Sequence, residues 1–155
     1  MERIVSYQYS TAINSAFELL SHPIRNKLRY VHFFTGTDPV YAGLHKYIDT
    51  KDGRSYRNTA HACYPWHIID KSLTIILPTL DDADPYIVTH ELGHILDYLI
   101  DFGHNTLPIN NYAKTHRAEA FAESFVAQYF WLGKKAEDIF QSDKSTQYLF
   151  GELRL

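Results

Sequence analysis

Residues 84–97 read Asp-Pro-Tyr-Ile-Val-Thr-His-Glu-Leu-Gly-His-Ile-Leu-Asp, and this stretch has the clearest structural pattern in the chain. Asp84 is a favourable N-cap, and Pro85 has the fixed backbone angle that suits the first position of a helix. Apolar residues then recur with helical spacing, at positions 87, 88, 92, 95, 96 and 99. The pattern predicts a helix that opens at Asp84-Pro85 and stops at Gly103.

The predicted helix carries the motif His-Glu-Leu-Gly-His at residues 90–94. Residues four apart share one helix face, so His90 and His94 can present two ring nitrogens to a single zinc ion. Glu91 is turned aside by one residue, which suits a catalytic base that reaches a metal-held water without ligating the metal. With 9 histidines in 155 residues, a chance match has a probability on the order of a few percent. We favour a zinc site over buried or solvated histidines because the motif lies in a capped helix that follows a strand.

A second helix is predicted from Thr115 or His116 to Trp131 or Leu132, closed by Gly133. Glu119 and Glu123 share one face of it, among Ala, Phe and Val residues. Carboxylates on such a face need partners, and a catalytic zinc needs a third protein ligand beside an open position. The residues alone leave open which glutamate ligates the metal.

Carboxylates near the motif are candidates for orienting the ligands. Asp97 lies three residues after His94, where it can accept the free ring N–H of a ligand histidine and hold its tautomer. Asp101 is a weaker candidate on the same stripe, and the alternative for both is an exposed helix charge.

The remaining chain alternates short elements, which predicts one α+β domain over residues 1–155 with a small mixed sheet. A helix is predicted at 11–20, capped by Ser10 or Thr11 and ended by His22-Pro23, and a last helix at 134–152. Strands are predicted at 28–35 and 72–77, with weaker strands at 40–48 and 58–69 on either side of a turn at 50–54. Residues 103–114 are predicted to form a loop.

Composition excludes several classes of protein. Hydrophobic residues make up 45% and charged residues 21%, which is typical of a globular domain. Lys and Arg total 15 against 18 Asp and Glu, so a nucleic-acid partner is not expected. The N-terminus lacks an apolar signal-peptide core, and no apolar run is long enough to cross a bilayer. These features predict a cytoplasmic protein without a membrane partner. Packaging in a particle and export by another route are the alternatives. The single cysteine, Cys63, is expected to be a small buried residue.

Two motifs together resemble a known family. His90-Glu91-Leu92-Gly93-His94 with Asp97, followed by Glu119-Ala120-Phe121-Ala122-Glu123, is similar to the catalytic domain of anthrax lethal factor and to the related Pro-Pro endopeptidases, which are gluzincin metallopeptidases. The resemblance covers roughly residues 72–130. It implies a zincin-like fold in which the strand at 72–77 borders the cleft, has a free edge and pairs along that edge with an extended peptide.

The resemblance also implies roles for individual residues. Glu119, and not Glu123, is then the third ligand of one zinc ion per chain. From the residues alone, Glu123 is a candidate for supporting the ligands without binding the metal, and the alternative is a solvated glutamate. Tyr112, seven residues before Glu119, is then the hydroxyl that faces the reaction intermediate. The implied activity is hydrolysis of peptide bonds in a protein or peptide substrate, with Glu91 as general base.

Two other functions are compatible with the motif. The chain could be a binding or regulatory module that keeps the zincin scaffold with narrow or no proteolytic activity. It could also be a structural zinc domain, although closed structural sites usually have four ligands rich in Cys. The intact Glu91 and Tyr112 favour the enzyme, and the oligomeric state is not indicated.

Overall fold

The computed structural model describes residue 5 and residues 9–35, 59–67, 72–78 and 84–130, which form four helices and a three-stranded mixed sheet. The predicted α+β class is confirmed in this form. The helices are α1 (Ser10–Leu19), α2 (His22–Leu28), α3 (Pro85–Leu99) and α4 (Arg117–Phe130), and the strands are β1 (His32–Thr35), β2 (His61–Cys63) and β3 (Thr74–Leu77). Short 3-10 turns cover Pro65–His67 and Ala113–Thr115.

β3 lies in the middle of the sheet. The strand order is β1-β3-β2, with β1 parallel to β3 and β2 antiparallel to it. In register, Thr74 faces His32 on one side and Cys63 on the other. The prediction that the strand at 72–77 has a free edge is therefore wrong, because both of its edges are already hydrogen-bonded. Among the described residues, the outer edge of β2 has no partner strand.

The segment between α1 and β1 also differs from the prediction. His22-Pro23 does not only end the first helix; it opens α2, where Pro23 sits in the first turn. The Arg25 side chain donates to the carbonyl oxygens of Phe17, Glu18 and Leu20, which supplies partners to the last turn of α1. The predicted strand at 28–35 is shortened to β1. The N-cap of α1 is Tyr9, so the predicted caps are wrong as well.

Helix α3 occupies the centre of the fold. It packs against α1, α2, β2 and α4, and every residue from Val88 to Asp97 is buried. Its predicted cap is confirmed, because the Asp84 carboxylate accepts a hydrogen bond from the Ile87 N–H at 2.9 Å. The helix ends at Leu99, before the predicted stop at Gly103, because the next turn adopts left-handed backbone angles (φ 60° at Asp101 and 56° at Phe102).

Gly93 sets the distance between α3 and α4. A Cβ atom at this position would lie 3.1 Å from the Ala122 Cα and 3.1 Å from a ring carbon of Phe125. Most residues have a Cβ that would push the helices apart, so the glycine permits the close crossing. The crossing places the first two turns of α4 beside the histidines of α3.

Other predictions are met in part. Of the predicted strand at 58–69, the structure describes residues 59–67, and among these only His61–Cys63 form a strand. The second helix begins at Arg117. Cys63 is buried, as expected, and burial, followed by the nearby Glu91 charge, raises its pKa to about 12. The predictions at 40–48, 50–54 and 134–152 lie outside the described residues. No helix in the described part of the chain is long and apolar enough to cross a membrane.

Candidate metal centre

Three side chains from the crossing of α3 and α4 converge on one point. One ligand atom from each of His90, His94 and Glu119 lies within 4.8 Å of the others, so the group could hold a metal ion. The two Glu119 oxygens divide between the histidines: Oε2 is 3.0 Å from His90 Nε2, and Oε1 is 3.3 Å from His94 Nε2. The helical spacing of the histidines and the close crossing at Gly93 together produce this arrangement.

The second ring nitrogen of His90 is also engaged. His90 Nδ1 lies 3.1 Å from Oε2 of Glu123, a contact that is buried from solvent. A carboxylate at this position fixes the ring orientation and directs Nε2 toward the other two side chains. The structure therefore brings Glu123 to the place expected of a residue that supports a metal ligand.

Two further residues hold Glu123 in place. The Tyr86 hydroxyl donates to Glu123 Oε2 at 3.0 Å, and Asn110 Nδ2 donates to Oε1 at 3.2 Å. The Asn110 side-chain oxygen accepts from the Ala113 N–H at 2.7 Å, so Asn110 also ties down the turn that contains Tyr112. Sequence reasoning missed both residues. Tyr86 had a signal, because it precedes His90 by four residues on the same helix face, whereas Asn110 lies in a loop without periodicity.

The surroundings of His90, Glu119 and Glu123 favour the charged form of each side chain. Burial opposes the charged form of His90, but hydrogen bonds with Glu119 and Glu123 outweigh it and raise its pKa to about 10. Burial alone would raise the pKa of both glutamates, yet their hydrogen bonds with the histidines lower it below its usual range. Without metal, an imidazolium between two carboxylates is therefore the favoured state.

Asp97 has a different partner from the one predicted. Its Oδ2 accepts a hydrogen bond from the Arg117 guanidinium, which also donates to the carbonyl oxygen of His104 at 2.8 Å. Among the described residues, no hydrogen bond joins Asp97 to His90 or His94. Burial raises the Asp97 pKa, an effect that Arg117 partly offsets. The ion pair fastens the end of α3 to the start of α4, two residues before Glu119, and Asp101 lies exposed in the next turn.

An open cavity of about 280 Å³ lies beside the group. The two predicted catalytic residues line this cavity: Glu91 from α3 and Tyr112 from the loop before α4. The Tyr112 side chain is partly exposed, and its ring centroid is 5.9 Å from that of His90. The first residues of β2 also line the cavity. The lining residues are Ala60, His61, Ala62, Tyr64, Glu91, His94, Tyr112, His116, Ala118 and Glu119.

No family model, curated protein or solved structure matches the chain. The assignment of a function therefore depends on the chemistry of the His90, His94 and Glu119 group and on the cavity beside it. All of the residues singled out in the sequence as ligands or catalytic groups border one or the other.

Proposed function

We propose that the chain is a zinc-dependent endopeptidase of the gluzincin type, with the zincin-like fold and the site residues that the sequence resemblance implies. One observation carries the proposal. His90, His94 and Glu119 form a compact group, and Glu91 and Tyr112 line the cavity that opens onto it. A metal site, a carboxylate base and a hydroxyl donor around one open space are the parts that peptide hydrolysis needs.

The donor set fits zinc. Two imidazole nitrogens and one carboxylate oxygen form a common ligand set for catalytic zinc, which leaves the fourth position open. Ligand atoms about 2.0–2.2 Å from a tetrahedral ion lie about 3.3–3.6 Å apart. The contacts of Glu119 with the two histidines, at 3.0 and 3.3 Å, are close to that spacing. These two distances belong to different Glu119 oxygens, and one ligand atom from each of the three side chains lies within 4.8 Å of the others. The three side chains would therefore close inward to hold one zinc ion per chain.

The proposed reaction divides the work among named atoms. Bound zinc supplies Lewis-acid polarisation and acidifies the water at its open position. The Glu91 carboxylate takes a proton from the attacking water and later passes it to the leaving amine nitrogen. The Tyr112 hydroxyl donates a hydrogen bond to the substrate carbonyl oxygen as negative charge develops there. Glu123 keeps His90 oriented throughout, through the N–H at Nδ1.

The proposed substrate class follows from the part of the cavity wall that β2 forms. β2 is hydrogen-bonded to β3 on one side, and its end lines the cavity through Ala60, His61 and Ala62. An extended peptide that lies along this wall would be held through backbone hydrogen bonds, which are independent of its sequence. In our proposal β2 therefore takes the role first predicted for the strand at 72–77. Cytoplasmic location remains a prediction of the sequence.

Two measurements test the proposal. Metal analysis of purified protein should find about one zinc per chain, and a mixed peptide library should be cleaved in a chelator-sensitive way. Glu91→Gln should keep the zinc and lose turnover, because the amide cannot accept the proton. Glu18→Gln, at an exposed position on α1, is the matched control and should behave as the unaltered chain.

The outcomes separate the enzyme from the alternatives. A stable chain that binds no zinc would reject the metal site. Zinc binding without cleavage of any library peptide would favour a binding or regulatory module on the same scaffold. An unchanged rate in Glu91→Gln would remove that carboxylate from the mechanism.

A further inference from the structure

Four aromatic rings contact one another beside Tyr64, which lines the cavity, and we call them the aromatic ridge: Tyr64, Trp66, Tyr98 and Phe102. Tyr64 is central, with its ring stacked on that of Tyr98 at 5.3 Å between centroids. Trp66 lies 4.9 Å from Tyr64, and Phe102 lies 5.7 Å from it. Each distance lies in the range at which aromatic rings attract one another, so the ridge is a coherent surface.

The ridge is open to solvent to an unusual degree. Trp66 exposes 64% of its surface and Phe102 exposes 38%. A tryptophan is normally much more buried than this, and contiguous exposed aromatic surface commonly marks a place where another molecule binds.

The backbone near Phe102 is strained. Asp101 and Phe102 both have positive φ angles. Asp tolerates this conformation, but it is unfavourable for a bulky side chain such as that of Phe102. The conformation is held by hydrogen bonds from the Phe102 N–H to the Asp97 carbonyl at 2.9 Å and from the Asp101 N–H to Tyr98 at 3.0 Å. Strain of this kind is commonly found at ligand sites. Here the turn brings the Phe102 ring against Tyr64 and Tyr98.

Tyr64 connects the ridge to the candidate metal centre. Its side chain lines the cavity together with Glu91 and His94. Tyr64 also follows directly after β2, and Trp66 comes two residues later. A peptide that lay along this wall and continued in its chain direction would therefore pass beside the ridge within about two residues of the cavity.

We propose that the aromatic ridge binds an aromatic or large aliphatic side chain of the peptide substrate, next to the scissile bond. The inference rests on the proposed peptidase function, and it adds the side chain that the site selects. Exposed ring faces and edges offer an apolar side chain stacking and burial of surface, whereas an acidic or small side chain would gain little there. Arg117 lies near Phe102, at 5.9 Å from its ring, but its charge is paired with Asp97.

The test measures peptide binding separately from cleavage. Zinc-loaded Glu91→Gln protein is titrated with fluorescent peptides in which one position at a time is Phe, Leu, Ala or Asp, and anisotropy reports affinity. At one position, Phe and Leu should bind about tenfold more tightly than Ala or Asp. Adding Trp66→Ala should reduce that preference to less than about threefold, with little change for the Ala peptide.

Two further variants separate specificity from damage to the fold. Trp66→Phe keeps a ring and should retain most of the preference. Tyr30→Ala removes an aromatic side chain that is 49% exposed and does not line the cavity, so it should change nothing. Because Trp66 is largely exposed, its alanine variant should also melt within a few degrees of the parent protein.

Each result decides the inference. It is overturned if no position discriminates, if the preference survives Trp66→Ala, or if none of the peptides binds. The proposed function fails separately, if the unaltered zinc protein cleaves none of the peptides that the Glu91→Gln protein binds. Cleavage without any preference for aromatic or aliphatic residues would keep the enzyme and reject the ridge.

Discussion

Glu119 and Glu123 occupy the same face of α4, one helical turn apart, yet their surroundings differ. Glu119 borders the open cavity, with a side chain that is 20% exposed, and its two oxygens reach both histidines. Glu123 is 7% exposed, and of the two histidines it contacts only His90. It also accepts hydrogen bonds from Tyr86 and Asn110. Both residues are glutamates, so their different depths at the α3–α4 crossing determine which one can ligate a metal and which one orients a ligand.

The largest effect is expected when the cavity-side carboxylate loses its charge. Glu119→Gln should lower zinc affinity on the order of a thousandfold, because it removes the anionic ligand and disturbs the contacts of both histidines. Competition with a chromophoric chelator measures the change. If Glu119→Gln binds zinc as tightly as Glu18→Gln, the metal centre is assigned to the wrong residues.

Separating the two helices should affect both carboxylates at once. Gly93→Val places new atoms against the Ala122 backbone and the Phe125 ring, so it should destabilise the fold by about 2 kcal/mol. Denaturant unfolding of the metal-free protein measures the loss, and zinc affinity should fall as well because Glu119 moves away from the histidines. An unchanged unfolding midpoint would mean that the crossing is not tightly packed at Gly93.

Altering the deeper carboxylate should have a smaller effect on the metal. Glu123→Gln keeps the shape but weakens the hydrogen bond that orients His90, so zinc affinity should fall about 10- to 100-fold. The same chelator competition provides the number. A loss as large as that for Glu119→Gln would remove the distinction between the two positions.

The smallest effect is expected for the number of protons that the protein releases when it binds zinc. Since the metal-free His90 has a pKa raised to about 10, it holds a proton at neutral pH that zinc must displace from Nε2. Zinc binding should therefore release about one proton, and affinity should rise about tenfold per unit between pH 6 and 8. Calorimetry in buffers of different ionisation enthalpy measures the release. In Glu123→Gln the pH above which the release falls off should move to lower pH, because one of the carboxylates that favours the charged ring becomes neutral. The same pH profile of proton release in both proteins would contradict this account.

The sequence was most informative where neighbouring residues determine the structure. Helical spacing predicted α3, its Asp84 cap and the shared face of His90 and His94, and the second helix was placed within two residues of its start. These features depend on contacts within one helix. The convergence of Glu119 on the histidines needed two elements to meet, and only the resemblance singled out that glutamate.

The misses have a common physical cause. In the sheet, β2 is an edge strand and β3 lies between β1 and β2. This order depends on pairing between segments that are distant in sequence, which chain order does not determine. Asn110 acts by joining a loop to Glu123, thirteen residues away, and has no periodic signal. α2 was missed because His22-Pro23 was interpreted only as a helix end, although proline is equally suited to a helix start.

The position of α3 at the centre of the fold has a consequence for how long the site persists. Its residues from Val88 to Asp97 are all buried, so their amide hydrogens have no route to solvent through a small local fluctuation. Deuterium should therefore enter this helix only when the whole protein unfolds. The two histidines would then keep their relative placement for as long as the molecule stays folded.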